Sequence, residues 1–348
     1  MCGIVGYIGK KEALPILIKG LTRLEYRGYD SSGVAILENK KIERIRSVGK
    51  IEKLNEKLES IELHGNVGIA HTRWATHGDV TEKNAHPHFG TSGKLAIVHN
   101  GIIENYRELR EKFLKDVKLK SETDTEILAC LIDKFYKKDL RGAILKALSY
   151  VRGTYGLVVI HEDYPDTLIA ARFGSPLVIG VGENEYYIAS DTSPMLAYTK
   201  RVIFLEDREL TEIKLGEEIK IFDLKDKKIV KNIEEIDWDE SQAEKQGYDH
   251  FMLKEIFDQP QVFEDAIRGR TNLEEIKARK APIILIANNG DINVKELTED
   301  IIYIPETMEL LEPLLNTIPL QLFAYHMAVI LKKDVDRPRN LAKSVTVE

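Results

Sequence analysis

The first nine residues constrain this chain most, because they place one of only two cysteines at position 2, directly ahead of a short apolar run. That run, with glycines at positions 3, 6 and 9, predicts a buried strand. If Met1 is removed, the thiol and the α-amine belong to one residue, and an amine with a pKa of about 8 is a base suited to neutral pH. The stretch therefore predicts that Cys2 begins the mature chain and is a nucleophile with its own amine as base. The alternative is that Cys2 is a small buried hydrophobe on an edge strand.

Length and composition narrow the class of protein. The 348 residues are enough for about two domains. A net charge of −7 disfavours nucleic acid or an anionic membrane as the main partner. The absence of a long apolar run and of a signal peptide predicts a cytoplasmic protein without a membrane partner. Two cysteines far apart fit a reducing compartment, and Cys130, on the apolar side of a predicted helix, is expected to be inert packing.

Helical and strand patterns alternate in a way that predicts an α+β layered domain. Helices are expected at 11–25, around 51–58, from 106, from 121 and around 139–151, and strands at 34–37, 42–45, 67–70, 95–98 and repeatedly between 153 and 223. Residues 232–247, rich in Asp, Glu, Gln and Ser, indicate a linker. Beyond it we expect a strand at 282–287 and an apolar helical stretch over 307–331, interrupted by Pro313 and Pro319.

Asn100 and Gly101 come directly after a predicted strand. An Asn side-chain amide and an adjacent Gly backbone N–H can both point at one oxygen, as an acyl-transfer oxyanion requires. By itself the Asn-Gly pair is also an ordinary turn signal.

A second polar group, Arg73, Trp74, Thr76 and His77, is predicted in a loop that leaves another strand. Arginine is the preferred fork for a carboxylate, and the tryptophan beside it could act as a lid. Asp124, at the start of a helix, could accept an ammonium group, or could simply cap that helix. A carboxylate fork, an ammonium acceptor and a separate acyl-transfer centre describe an amino acid with a reactive side-chain carbonyl, and glutamine fits.

Five of the nine histidines fall within 29 residues, at positions 71, 77, 86, 88 and 99. No pair has the helical spacing of a His-Glu-x-x-His site, and no cysteine accompanies them. We therefore expect no metal and no cofactor.

Six segments together closely resemble the glucosamine-6-phosphate synthase family of glutamine:fructose-6-phosphate aminotransferases (isomerizing), which are class II glutamine amidotransferases. They are residues 1–6, 24–31, 71–78, 84–88, 99–105 and 123–126.

This resemblance implies that residues 1–240 form a four-layer α/β/β/α N-terminal-nucleophile glutaminase domain. By position it makes Cys2 the nucleophile and Asn100 with Gly101 the oxyanion hole. The resemblance also implies a glutamine pocket formed by Arg73, Thr76, His77 and Asp124. Trp74 would belong to a closing loop that guards an ammonia path, and Arg27 would help to position the chain start.

The C-terminal part also resembles this family, over residues 248–256 and 334–348. There Lys343 would form a Schiff base with fructose 6-phosphate. Between Arg270 and Thr271 the chain omits roughly 250 residues, judged from the size that two sugar-isomerase domains need. Residues 241–348 are thus expected to be a linker plus the start and the C-terminal end of the sugar-isomerase region, an incomplete α/β segment. A complete enzyme would form a homodimer through that region.

Three functions follow as hypotheses. The favoured one is a glutamine-dependent aminotransferase that makes glucosamine 6-phosphate from fructose 6-phosphate. The second is a glutaminase only, because no loop suited to the sugar phosphate is present. The third is a non-catalytic protein that binds glutamine or docks a subunit through the apolar helix at 308–331.

Overall fold

The computed structural model describes residues 2–75, 78–236, 283–291, 294–295, 298–308 and 312–331. The chain divides into two units, residues 1–279 and 280–348. In the first unit, eight antiparallel strands form one sheet in the order β15-β11-β9-β10-β1-β4-β2-β3. These strands are β1 (Gly3–Ile8), β2 (Ser31–Glu38), β3 (Lys41–Val48), β4 (Val67–Arg73), β9 (Val178–Val181), β10 (Tyr186–Ala189), β11 (Arg201–Phe204) and β15 (Glu234–Glu235).

Seven antiparallel strands form a second sheet in the order β14-β13-β12-β8-β7-β6-β5. They are β5 (His88–Phe89), β6 (Leu95–Ile103), β7 (Gly153–His161), β8 (Tyr164–Phe173), β12 (Glu209–Lys214), β13 (Lys220–Asp223) and β14 (Lys228–Ile229). An apolar cluster containing inward residues of both sheets, among them Ile4, Ile69 and Val98, joins the two sheets face to face.

Helices cover the outer face of each sheet. Those described in this unit are α1 (Ala13–Leu24), α2 (Ile51–Leu58), α3 (Tyr106–Phe113), α4 (Asp124–Phe135) and α5 (Leu140–Leu148). Helices α1 and α2 pack on the first sheet through one apolar cluster, and α3, α4 and α5 pack on the second through another. The result is the predicted four-layer α/β/β/α architecture. Cys130 is buried in the α4 layer, as expected, and burial raises the pKa of its thiol to about 11.

The predicted helices and strands of the first unit are confirmed, but strands β4 and β6 are longer than predicted. Strand β6 continues to Ile103, pairing with β7 as far as Gly153, and β4 continues to Arg73. Asn100, Gly101 and Arg73 therefore lie within strands rather than in the turns and loops that follow them. The local turn signal of Asn-Gly is overridden by nine residues of ladder pairing, and Gly101 accommodates it with a φ of +115°.

The start of the predicted linker at 232–247 also differs from expectation. Glu234 and Glu235 form β15, which pairs with β11, and Ile236 is buried. These residues thus belong to the first sheet, and residues 237–247 lie outside the described part of the chain.

In the second unit, strands β16 (Leu285–Asn288) and β17 (Ile301–Ile304) pair in parallel. Helix α6 (Glu312–Ile330) follows. The predicted interruption at the two prolines is wrong, because Pro313 falls in the first turn, where proline is tolerated, and the helix continues through Pro319. None of the described helices has the length and hydropathy needed to cross a membrane.

Candidate active site

Strand alternation sets the candidate site. In β1, β4 and β6 the residues that enter the core between the sheets are Ile4 and Ile8, Val67 and Ile69, and Ala96 and Val98. Because side chains alternate between the two faces of a strand, the same inward faces continue to Cys2, to His71 and Arg73, and to Asn100. One end of the space between the sheets thus collects polar and reactive groups where the rest of it is apolar.

Cys2 is partly buried beside the residue that follows β4. The Trp74 backbone N–H donates to Cys2 Sγ at 3.2 Å, and Sγ lies 3.4 Å from the Trp74 carbonyl oxygen. Burial raises the pKa of the Cys2 thiol, while the Trp74 N–H and the Arg73 guanidinium act in the opposite direction. A thiol in this setting needs a base to become a nucleophile at neutral pH.

Asn100 faces Cys2 across the gap between the sheets. Its side-chain Nδ2 donates to the Cys2 carbonyl oxygen at 3.0 Å, and its Oδ1 lies 3.0 Å from His71 Nε2. A Cβ added at Gly101 would approach the Thr154 carbonyl oxygen to 2.3 Å, so both space and φ favour glycine here.

Asp124 is brought to the site by the first turn of α4. Thr123 is the residue that caps this helix, because its Oγ1 accepts from the Glu126 N–H at 3.2 Å. The Asp124 carboxylate instead accepts the Ile103 N–H at 2.8 Å and the Thr125 N–H at 2.9 Å. It thereby ties the helix start to the end of β6, next to Gly101.

Arg73 is buried and donates to the carbonyl oxygens of Gly78 at 3.3 Å and Asp79 at 3.4 Å. Burial lowers the pKa of its guanidinium, while the Cys2 and Asp124 side chains oppose that shift. Trp74 lies edge-on to Tyr29 with ring centroids 5.5 Å apart. The predicted pocket residues Thr76 and His77, and Lys343, lie outside the described residues.

The polar turn after α1 supports this segment, a role the sequence alone did not reveal. Asp30 Oδ2 accepts the Ala75 N–H at 2.9 Å. At Gly28 an added Cβ would lie 2.8 Å from the Arg73 carbonyl carbon and from the Trp74 nitrogen. The glycine and the acidic residue of the Tyr-Arg-Gly-Tyr-Asp segment were visible signals, but their partner is more than forty residues away in sequence.

Arg27 lies apart from the cavity described below. It forms a buried ion pair with Asp191 and reaches the Ser190 carbonyl oxygen at 3.4 Å. Ser190 in turn accepts the Ile4 N–H through its Oγ at 3.1 Å. Arg27 is therefore linked to the opening strand through the residues that follow β10.

Four buried histidines form the other feature that the sequence did not place. His71 and His86 stack with centroids 4.1 Å apart, and His86 meets His88 edge-on at 4.7 Å. Thr125 Oγ1 lies 2.9 Å from His86 Nε2 and 3.0 Å from His99 Nδ1. Burial lowers the pKa of His71 to about 3 and holds the pKa values of His86 and His88 well below the usual range. Among the described residues, no group of three or more His, Cys, Asp and Glu side chains could hold a metal ion.

Several of these residues line one narrow cavity of about 20 Å³. Its lining residues are Cys2, Arg73, Trp74, His86, His99, Gly101, Thr123, Asp124 and Thr125. A larger open depression of about 390 Å³, lined by residues such as Lys138 and Asp163, has no cysteine, serine or threonine in its lining. The cavity at Cys2, although smaller, is the one that combines a thiol, an arginine and a buried carboxylate.

Curated proteins of known name resemble this chain over most of its length. Curated relatives include the glutamine–fructose-6-phosphate aminotransferase (isomerizing) of Bacteroides thetaiotaomicron, 49% identical over 281 residues, covering 79% of this chain and 45% of that protein. The protein of the same name from Clostridium tetani is 50% identical over 274 residues, covering 78% of this chain and 45% of the relative. The chain thus spans about half the length of the curated relatives that it matches.

The fold has solved counterparts. The Bacillus subtilis glutamine phosphoribosylpyrophosphate amidotransferase complexed with ADP and GMP superimposes with a TM-score of 0.58 at 20% identity, covering 90% of this chain and 70% of that one. The structure of the allosteric regulatory enzyme of purine biosynthesis gives a TM-score of 0.59 at 22% identity, covering 87% and 65%. At such identities the likeness concerns the fold alone, and it agrees with the predicted α+β architecture.

Two family models match the chain. The SIS domain family matches residues 268–331, in agreement with an incomplete isomerase segment. The glutamine amidotransferase domain family matches residues 55–263, which is more than half of the chain. The chain therefore belongs to the glutamine amidotransferase domain family.

Proposed function

We propose that this chain is the glutaminase part of a glutamine:fructose-6-phosphate aminotransferase, and that Cys2 converts glutamine to glutamate and ammonia. The observation that carries the proposal is the convergence on one cavity of the Cys2 thiol, Arg73, Gly101 and Asp124, with the Asn100 amide 3.0 Å from the Cys2 carbonyl oxygen. The high identity to aminotransferases named for glutamine and fructose 6-phosphate supports the substrates.

The proposed reaction begins when the Cys2 α-amine, freed by removal of Met1, takes the thiol proton. The thiolate attacks the side-chain amide carbon of glutamine, and the electron pair of the C=O bond moves to the oxygen. Asn100 Nδ2–H and the Gly101 N–H donate to that oxyanion. When the C=O bond reforms, the C–N bond breaks, and the ammonium of Cys2 returns its proton to the leaving nitrogen as ammonia departs.

A thioester between Cys2 and the glutamyl group remains. Water, deprotonated by the same amine, attacks the thioester carbon, and collapse of the second tetrahedral intermediate expels the thiolate and releases glutamate. The proton held by the amine restores the thiol. No electrons are gained or lost in either half.

The rest of the cavity suits the two ends of the amino acid. The buried Arg73 guanidinium would bind the α-carboxylate, and the Asp124 carboxylate, beside Gly101, would bind the α-ammonium. We assign Thr76 and His77 to the same pocket and Trp74 to its lid on the family resemblance. Arg27 would set the position of the chain start through Ser190 and Ile4.

The described cavity of about 20 Å³ has room for about one water molecule, so glutamine requires its walls to open. The Trp74 backbone N–H lies 3.2 Å from Cys2 Sγ, beside this cavity. We therefore assign the closed state to the structure and infer that glutamine enters when Trp74 moves away from Cys2.

We propose that a longer, complete enzyme transfers the ammonia to fructose 6-phosphate, which Lys343 would hold as a Schiff base. That enzyme would form a homodimer through its isomerase region. We further propose that it is cytoplasmic and has no nucleic-acid or membrane partner. For the chain in hand, which spans 45% of its first relatives, the second candidate is glutaminase activity alone. Incubation with glutamine and fructose 6-phosphate separates the two. Glucosamine 6-phosphate in the products supports synthase activity, and glutamate without it supports the glutaminase alone.

The decisive test of the glutaminase is Cys2→Ala, with Cys130→Ala as the matched control. We expect Cys2→Ala to lower kcat for glutamine hydrolysis by at least roughly 10⁴-fold, since loss of a nucleophile removes the covalent route. Cys130→Ala should retain kcat, because that thiol is packed in the α4 layer. Retained turnover in Cys2→Ala would refute the assignment. An intact mass that includes Met1 in active protein would refute the amine as base.

A further inference from the structure

The orientation of the Asn100 amide is fixed from behind by a histidine to which no role has been assigned. A side-chain amide presents its N–H only if it is turned the right way, and the opposite rotamer would present an oxygen instead. In the observed orientation Nδ2 faces the Cys2 carbonyl oxygen and Oδ1 faces His71 Nε2, each at 3.0 Å. The Cys2 carbonyl oxygen holds the amide from one side, and whether His71 holds it from the other depends on which ring nitrogen of His71 carries the hydrogen.

Two oxygens meet His71 Nε2. One is Asn100 Oδ1 at 3.0 Å, and the other is the backbone carbonyl oxygen of His99 at 3.1 Å. A backbone carbonyl only accepts, so Nε2 must carry the hydrogen that it receives. Burial lowers the pKa of His71 to about 3, and the ring is neutral, with Nδ1 bare. Nδ1 indeed has no hydrogen-bond partner within the described part of the chain.

The His99 carbonyl thus selects the tautomer of His71, and that tautomer favours the same orientation of Asn100 as the Cys2 carbonyl oxygen does. If the amide were reversed, Nδ2–H would face Nε2–H, and Oδ1 would face the Cys2 carbonyl oxygen. Both contacts would be lost at once. His71 is fully buried and stacks on His86 at 4.1 Å, so its ring is held in place by packing.

We propose that His71 is the positioning residue of the oxyanion hole, which it preorganises by donating from Nε2 to Asn100 Oδ1. It lies on β4 and Asn100 on β6, so its imidazole spans the two facing sheets to reach the amide. This inference rests on the proposed glutaminase function, because it assigns Asn100 to the oxyanion.

The test compares His71→Gln with His71→Met in the full chain. A glutamine side chain can place an N–H near the position of Nε2, whereas methionine fills similar space without a donor. Loss of one oxyanion donor costs roughly 10²–10³-fold in kcat. Without His71 the Asn100 amide would still face the oxyanion part of the time, so we expect kcat of His71→Met to fall by about ten- to hundredfold. KM for glutamine should change by less than about twofold, and His71→Gln should recover most of kcat.

Two further measurements distinguish positioning of Asn100 by His71 from a merely structural role of His71. The aldehyde analogue of glutamine adds to the Cys2 thiol and places an oxygen in the oxyanion hole, whereas glutamate does not. His71→Met should therefore weaken the aldehyde in parallel with kcat and leave the affinity for glutamate unchanged. In an Asn100→Ala background, His71→Met should cause no further loss of kcat. If His71→Met does not fold, His71→Asn, whose amide is too short to reach Asn100, replaces it.

His161→Met serves as control, since His161 is equally buried but lies at the far end of β7 from Gly153. It should leave kcat unchanged. Wild-type kcat in His71→Met, an equal loss of aldehyde and glutamate binding, or an undiminished effect in the Asn100→Ala background would each overturn the proposal. Absence of glutamine hydrolysis in the wild-type protein would instead overturn the proposed function.

Discussion

The two units of this chain differ in how far their apolar side chains are buried. In the first, each sheet is covered on both faces, and residues such as Ile69, Ile97 and Leu157 are fully buried. In the second, a two-stranded parallel sheet is followed by α6, on which Phe323 is 43% exposed and Ile330 71%. Parallel strands are normally covered on both faces, whereas among the described residues of the second unit the apolar side chains of α6 stay exposed. This difference agrees with an incomplete isomerase segment in the second unit.

The largest expected effect is the loss of stability of the first unit in acid. His71, His86 and His88 have lowered pKa values because burial disfavours their charged forms. Unfolding then takes up protons below the ordinary histidine pKa of about 6.5, so the free energy of unfolding falls as the pH drops from there toward the folded-state values, which for His71 is about 3. The slope is about 1.4 kcal/mol per pH unit for each histidine.

Urea denaturation at a series of pH values, followed by circular dichroism, measures this slope. His88→Gln should reduce it by about one histidine's share between pH 6 and pH 5. His326→Gln, at an exposed position of α6, is the matched control and should leave it unchanged. An equal slope in wild type and His88→Gln would show that this histidine is protonated in the folded state.

A matched pair of isoleucines compares the two cores directly. Ile69→Ala removes a fully buried side chain between the sheets and should lower the free energy of unfolding by about 2–4 kcal/mol. Ile318→Ala, at a position 54% exposed in α6, should cost less than about 0.5 kcal/mol. Comparable losses in urea denaturation would mean that the α6 surface is covered in solution.

Glycines with positive φ give a third comparison. Gly101→Ala combines a φ of +115° with a 2.3 Å approach to the Thr154 carbonyl oxygen, and it should cost about 2–3 kcal/mol. Gly290 has a φ of +97°, but a Cβ there meets nothing within 4 Å in the described part of the chain, so Gly290→Ala should cost about 1 kcal/mol. Thermal denaturation of both variants would measure the two losses of stability. A larger loss in Gly290→Ala than in Gly101→Ala would contradict this prediction.

The smallest expected effect comes from removing residues 241–348. If residues 1–240 form a complete glutaminase domain, the shortened chain should hydrolyse glutamine with kcat/KM within about threefold of the full chain, because the described cavity is lined entirely by residues before 126. A loss of more than tenfold would place part of the site beyond residue 240.

Much of the first unit follows from the sequence because its signals are local. The apolar run of β1, the periodicity of α1 and the hydroxyl ahead of α4 each predict an element from a few neighbouring residues. Asn100 and Gly101 show where this fails, because their turn signal yields to pairing with β7, fifty residues away. The histidine contacts were inaccessible for a similar reason. His86 meets Thr125 only once two sheets and a helix are packed, and tautomers depend on that packing.

The inward alternation of the opening strand carries a consequence for how such a protein can change. Cys2 reaches the cavity because it has the same parity as Ile4 and Ile8, and β1 is held on both sides by β4 and β10. One residue inserted between the cysteine and the strand would turn the thiol toward the helical layer, where a Cβ at Gly3 already meets Leu24 at 2.7 Å. Single substitutions along this segment therefore leave the thiol facing the cavity. A single insertion or deletion turns it away, so we expect neither natural variants nor designed ones with such a change to keep the activity.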